Sequence, residues 1–97
     1  MNIVEITRLC VTVIKARLPA EEWHVWLFGS QARGCATPYS DVDIAIDGET
    51  TVPWETMAAI RGEIGRIQTL RGIDVVDVRT ADERFREQVL MYGKKLV

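Results

Sequence analysis

The run Asp41-Val42-Asp43-Ile44-Ala45-Ile46-Asp47 limits what this chain can fold into more than any other stretch. Asp41, Asp43, Ala45 and Asp47 fall on one side of an alternation, and Val42, Ile44 and Ile46 on the other. Successive side chains of a strand point to opposite faces. The pattern therefore predicts a strand over Asp41–Asp47 with its apolar face on a core and its acidic face on a cleft or on water. With 97 residues the expectation is a single domain over residues 1–97, built around one core. The flanking segments must supply the layers that close that core.

Those segments carry two periods. Asn2 to Leu18 reads as a helix, with Ile3, Ile6, Cys10, Val13 and Arg17 or Leu18 at helical spacing and Leu9 and Ile14 widening the stripe. Asn2 with Glu5 makes a capping box, and Pro19 stops the helix. Trp23 to Phe28 is a short strand that is apolar on both faces, as a strand covered on both sides would be. Gly29 ends it, Ser30 to Gly34 begins a short helix, and Cys35 to Ser40, with Pro38, is loop. After a turn at Gly48–Val52, Pro53 to Arg71 reads as a second long helix burying Met57, Ile60, Ile64, Ile67 and Leu70, with Gly72 as its C-cap. Gly62 and Gly65 weaken its middle by ~1 kcal/mol each relative to alanine. Ile73 to Val78 is a third strand. Thr80 and Glu83 suggest a capping box for a last helix, Ala81 to Tyr92, that presents Phe85, Val89 and Tyr92. Lys94 to Val97 is a stub of strand. The order α-β-α-β-α-β-α is that of an α/β layer architecture. It leaves the strand directions open.

Composition excludes some classes. The net charge of −2 gives no dominant footprint for nucleic acid, so direct nucleic-acid binding is not expected. No run approaches ~18 apolar residues, so no membrane span is expected. Glu5 and Arg8 interrupt the N-terminal apolar stretch, unlike a signal peptide. Cys10 and Cys35 have neither metal nor disulfide spacing and read as reduced thiols of a cytoplasmic protein. His24 reads as a core or edge residue and Asp47 as a strand end. Trp23, Trp26 and Trp54 read as core or partner-facing, and Arg84, Arg86, Lys94 and Lys95 as a solvated helix end.

The chemistry concentrates in Gly29-Ser30 and Asp41-Val42-Asp43. Aspartates at i and i+2 of a strand point the same way with Cα atoms ~6.6–7 Å apart. They can converge on hard divalent cations, and Mg²⁺ commonly takes one or two carboxylates plus substrate phosphates. Two such ions ~3.5–4 Å apart can clamp both oxygens of a phosphoryl displacement. A Gly-Ser turn opening a helix offers backbone N–H groups to phosphate, Ser30 adds a hydroxyl donor, and Arg33 lies one turn on.

Gly29-Ser30-Gln31-Ala32-Arg33-Gly34 with Ser40-Asp41-Val42-Asp43-Ile44-Ala45-Ile46 resembles the signature of the DNA polymerase beta-like nucleotidyltransferases, and within them the minimal nucleotidyltransferase (MNT) branch. The resemblance implies a polymerase beta palm-like fold, a small mixed sheet flanked by helices. It implies Mg²⁺, two ions, held by Asp41, Asp43 and a third carboxylate that helps activate an acceptor hydroxyl. Ile73-Asp74-Val75-Val76 matches the context of that carboxylate, so the role falls on Asp74. Asp77 competes, lies on the opposite face, and is not eliminated by alternation. Gly29, Ser30 and Arg33 would grip the triphosphate. The implied reaction moves a nucleoside monophosphate, AMP from ATP, to a protein hydroxyl, as the antitoxin of a HEPN/MNT toxin–antitoxin pair. Two other readings stand beside it. One is a non-enzymatic partner-binding subunit whose helices form a homo-oligomer or hetero-complex face. The other is a small-molecule transferase acting on an aminoglycoside-like acceptor.

Overall fold

The computed structural model describes residues 2–34, 36–37 and 40–97. The loop expectation at Cys35 and Pro38, and the thiol of Cys35, lie outside them. Four strands, β1 (Trp23–Phe28), β2 (Val42–Gly48), β3 (Ile73–Asp77) and β4 (Lys94–Lys95), form one sheet in the order β3-β2-β1-β4. β1 runs antiparallel to β2 and β4, whereas β2 and β3 are parallel. Parallel neighbours need a crossover, and the helix between them supplies it. The helices are α1 (Ile3–Lys15), α2 (Ser30–Arg33), α3 (Trp54–Ile64) and α4 (Glu83–Tyr92), with a 3₁₀ turn at Val78–Thr80 before α4.

The alternation of β1 and β2 decides which helix covers which face. Trp23, Val25 and Leu27 of β1 and Val42, Ile44 and Ile46 of β2 are buried with Ile6, Cys10 and Ile14 of α1 and Met57, Ile60 and Ile64 of α3. Each large aliphatic side chain fully buried there contributes ~1.5–3 kcal/mol. On the opposite face Ala45, Val78 and Val89 meet Trp26, Phe28 and Phe85, so α4 covers part of that face. Phe28 and Phe85 pack edge to face, 5.3 Å between centroids. β1 is thus covered on both sides, as its apolar composition predicts. Among the described residues no helix is long and apolar enough to cross a membrane.

The structure corrects several expectations. α1 ends at Lys15, although Leu18 beyond it is still buried, and Leu9 faces out. α3 runs only to Ile64, with Gly65 as its cap, and not to Arg71. Gly62 and Gly65 lower helix propensity there, and Leu70, expected in the buried stripe, is fully exposed. Ile67 still packs against the core, but Leu70 adds no burial to offset the cost of a longer helix. The last helix starts at Glu83 and is capped by Asp82, which accepts from the Phe85 N–H at 2.8 Å; Thr80 instead donates to the Asp77 carbonyl at 2.8 Å. Tyr92 is exposed, and Trp54 stands out in solvent. The Asn2 cap is present, accepting from the Glu5 N–H at 2.9 Å. Arg86 is not a solvated charge. Its guanidinium donates to the Asp47 carboxylate at 3.1 Å, which is why Asp47 tolerates burial at the end of β2.

Candidate active site

β1 delivers the chain to Gly29, whose φ of 72° and ψ of −152° lie in a region that only glycine enters without strain. This reversal lets α2 start at Ser30, and Gly34 closes it in the left-handed conformation, φ 73°. A second reason for glycine comes from β2. A Cβ at position 29 would collide with Oδ2 of Asp43, so backbone and carboxylate share that space. Gly29→Ala is expected to cost ~2 kcal/mol in backbone strain alone and to push Asp43 aside. Chemical denaturation together with a transfer assay checks it; an unchanged midpoint with unchanged activity would show that the contact is dispensable.

Strand register brings the acidic groups together. Phe28 pairs with Asp43, and Asp43 pairs with Asp74, so the three form one row across the sheet on the face that α4 only partly covers. Asp41 lies one residue before β2 and not within it, and it is exposed. A Cβ on Gly72 would stand 2.7 Å from Oδ1 of Asp41, and the Gly72 carbonyl accepts from the Val42 N–H at 2.8 Å. Gly72 therefore makes room for a carboxylate; the helix it was expected to cap has already ended.

Alternation left Asp74 and Asp77 open, and the register separates them. Asp77 pairs with Ile46 on the face packed by α1 and α3. It is 2% exposed, and its carboxylate accepts from the Val52 N–H at 2.7 Å and the Arg79 N–H at 3.0 Å. It is committed to the fold, while Asp74 is exposed beside Asp43.

The site is a concentration of negative charge. Burial pushes the Asp43 carboxyl above its ordinary value; Asp74 and then Asp41 add to the rise, and Arg33 partly opposes it. Cations would relieve this. Among the described residues no three acidic, histidine or cysteine side chains close around a metal. An ion there would complete its shell with phosphate oxygens and water, which suits Mg²⁺ and its preference for few protein carboxylates.

Contacts that the motif does not announce hold the approach to Asp41. The Ser40 carbonyl accepts from Arg71 at 3.3 Å and from the Gln31 amide at 3.5 Å, and the Ser40 hydroxyl accepts from the Thr37 N–H at 2.8 Å. An arginine before a strand and a glutamine in a four-residue helix carry no sequence signal for such a role. The thiol of Cys10 is buried away from the site and pushed up to about 11 by that burial, so it is inert. His24 pairs with Asp47 at the other end of β1.

Comparisons with known proteins agree with this fold. Residues 22–97 match the family model described as "Polymerase beta, Nucleotidyltransferase". The chain is 30% identical over 76 residues to the probable protein adenylyltransferase MntA of Haemophilus influenzae, covering 78% of this chain and 65% of that protein. A crystal structure of a toxin–antitoxin with AMP-PNP superposes with a TM-score of 0.67 at 25% identity, over 95% of this chain and 72% of that one. A complex of a tri-AMPylated Shewanella oneidensis HEPN toxin with its MNT antitoxin superposes with a TM-score of 0.62 at 23% identity, over 100% of this chain and 72% of that one. At that identity the second likeness speaks to the fold alone.

Proposed function

Because the chain belongs to the polymerase beta nucleotidyltransferase family, we propose that it transfers AMP from ATP to a hydroxyl of a protein acceptor, with Mg²⁺ as cofactor. The acceptor we infer is a HEPN-domain toxin, which the transfer would neutralise in the cytoplasm. One observation carries the reading: the Gly29-Ser30 turn lies against Asp43, and Asp43 lies beside Asp74 on an open sheet face. The H. influenzae relative is named a probable protein adenylyltransferase, and the structure at 25% identity is a toxin–antitoxin with AMP-PNP, which supports the choice of AMP and of a toxin as partner.

Each residue has a separable task. Gly29 lets the backbone approach phosphate, and Ser30 with Arg33 holds the β- and γ-phosphates. Asp41 and Asp43, with Asp74, would hold Mg²⁺, one or two ions, which when bound neutralise charge on the phosphates and the leaving group. Asp74 would also accept the acceptor's proton. The acceptor oxygen attacks the α-phosphorus, a new P–O bond forms, the bond to the bridging oxygen breaks, and pyrophosphate leaves with that electron pair. The protein's contribution is mostly position and electrostatics, as for phosphoryl transfer in general.

The test is incubation of the purified protein with ATP labelled at the α-phosphate, Mg²⁺ and the protein encoded next to it. Label should appear on that neighbour and vanish with EDTA. A folded protein that labels no acceptor with any of the four nucleotides would sink the proposal.

A further inference from the structure

Asp43 and Asp74 sit in paired strands, Asp43 with a neighbour on each side. Asp41 precedes β2 and is exposed, so its direction must be set by other bonds. A peptide group is planar, and a residue has only two soft dihedrals; both are fixed when the planes on either side of it are held. The plane before Asp41 is held through the Ser40 carbonyl, which accepts from Nη1 of Arg71 at 3.3 Å. The plane after it is held through the Val42 N–H, which donates to the Gly72 carbonyl at 2.8 Å. Both holds come from the two consecutive residues that lead into β3. We propose that Arg71 is a positioning residue, which fixes the backbone of Asp41 so that its carboxylate is set beside Asp43 for a divalent cation. The inference rests on the transferase reading and adds to that site a residue outside its motif.

Both ends of the Arg71 bond are themselves anchored. Arg71 is half-buried, and its own N–H donates to the Thr69 hydroxyl at 3.1 Å. The Ser40 N–H donates to the Thr37 carbonyl at 3.1 Å, and the Ser40 hydroxyl accepts from the Thr37 N–H at 2.8 Å. The Gln31 amide reaches the same Ser40 carbonyl at 3.5 Å, so α2, the approach to β2 and the approach to β3 meet at that oxygen. The pair Arg71-Gly72 thus holds the backbone of Asp41 and, through the missing Cβ of Gly72, makes room for its Oδ1. It also starts the strand that carries Asp74, which refers Asp41 and Asp74 to one frame. Groups that orient metal ligands in this way are worth ~10–100-fold in metal affinity. A guanidinium beside a cation site also acts by its charge, and the sign separates the two roles. Like charge repels the cation, so removing it tightens binding. Losing a positioning bond loosens it.

Electron paramagnetic resonance of Mn²⁺ titrated onto the full chain, without nucleotide, reads cation binding apart from transfer. The variants are Arg71→Met, which keeps the bulk of the stem and loses the donors, and Arg71→Lys, which restores a donor as a point charge. Arg71→Met should weaken Mn²⁺ binding by ~10-fold, and Arg71→Lys should fall between it and wild type. In the labelled-ATP assay Arg71→Met should need ~10-fold more Mg²⁺ for half its maximal rate, with the KM for ATP at saturating Mg²⁺ unchanged. Circular dichroism should show an unaltered fold. Unchanged or tighter Mn²⁺ binding by folded Arg71→Met overturns the proposal. A variant that no longer folds overturns it too, by marking Arg71 as structural. A raised KM for ATP at saturating Mg²⁺ with wild-type Mn²⁺ affinity replaces it with a direct phosphate contact. A wild-type chain that binds Mn²⁺ but labels no acceptor overturns the transferase reading, and the Mn²⁺ titration alone then decides on Arg71. A wild-type chain that binds no Mn²⁺ overturns the positioning role outright.

Discussion

Asp43→Asn is expected to reduce nucleotidyl transfer by at least ~10³-fold, no less than the ~10²–10³ lost with a single electrostatic donor in other active sites. The fold should survive. Asp43 lies between Gly29 and Asp74, where the charge that would bind a cation is concentrated. Its charge costs the free protein stability, because burial and two neighbouring carboxylates hold its pKa above the ordinary 3.8. Asparagine removes that charge at nearly constant volume, so the metal-free melting temperature should hold or rise slightly.

The same shift fixes a pH dependence. Between the unfolded value of 3.8 and the higher folded value, the native state binds more protons at Asp43 than the unfolded state does. This group therefore makes the protein more stable as pH falls from neutrality through its folded pKa, and the gain is complete below 3.8. Melting curves in EDTA between about pH 4 and pH 7 should show the contribution in wild type and its absence in the asparagine variant. Bound Mg²⁺ reverses the preference, since it competes with the proton. Transfer at the wild-type rate by Asp43→Asn would remove Asp43 from the site. A fall in melting temperature beyond ~10 °C, more than ~1 kcal/mol in a domain this size, would mark it as structural.

The local periods made the element order legible, including the brief helix at Ser30 and the stub of strand at Lys94. The turn and the aspartate pair were legible because each is contiguous in sequence. What the sequence could not display is whatever depends on register between distant segments. Which of Asp74 and Asp77 faces Asp43 follows from the parallel pairing of β2 with β3, and no local alternation contains that pairing. The roles of Gly29 and Gly72 as spaces for carboxylates, and the Arg71 bond to the Ser40 carbonyl, depend on the same pairing. The overlong α3 has a different cause. Its apolar spacing continues past Gly65, but a periodic apolar residue extends a helix only where a surface covers it, and nothing covers Leu70.

Asp77 and Asp74 should part cleanly under substitution. Asp77→Ala removes a buried acceptor and leaves the Val52 and Arg79 N–H groups without it. A hydrogen bond to a charged group contributes ~1.5–3 kcal/mol, so the pair amounts to ~3 kcal/mol or more. At ~4–8 °C per kcal/mol for a domain of this size, the melting temperature should fall by about 12–24 °C. The damage reaches beyond those bonds, because Val52 is itself buried and leads the chain into α3, whose side chains complete the core. Asp77→Asn, which keeps one acceptor oxygen, should recover part of the loss. Asp74→Ala touches an exposed side chain and should change stability by no more than ~0.5 kcal/mol, while lowering transfer severely. Urea unfolding and the labelled-ATP assay on the same preparations measure both quantities. If Asp77→Ala were stable and inactive while Asp74→Ala were unstable and active, the third carboxylate would be Asp77 and the register between β2 and β3 would have to differ.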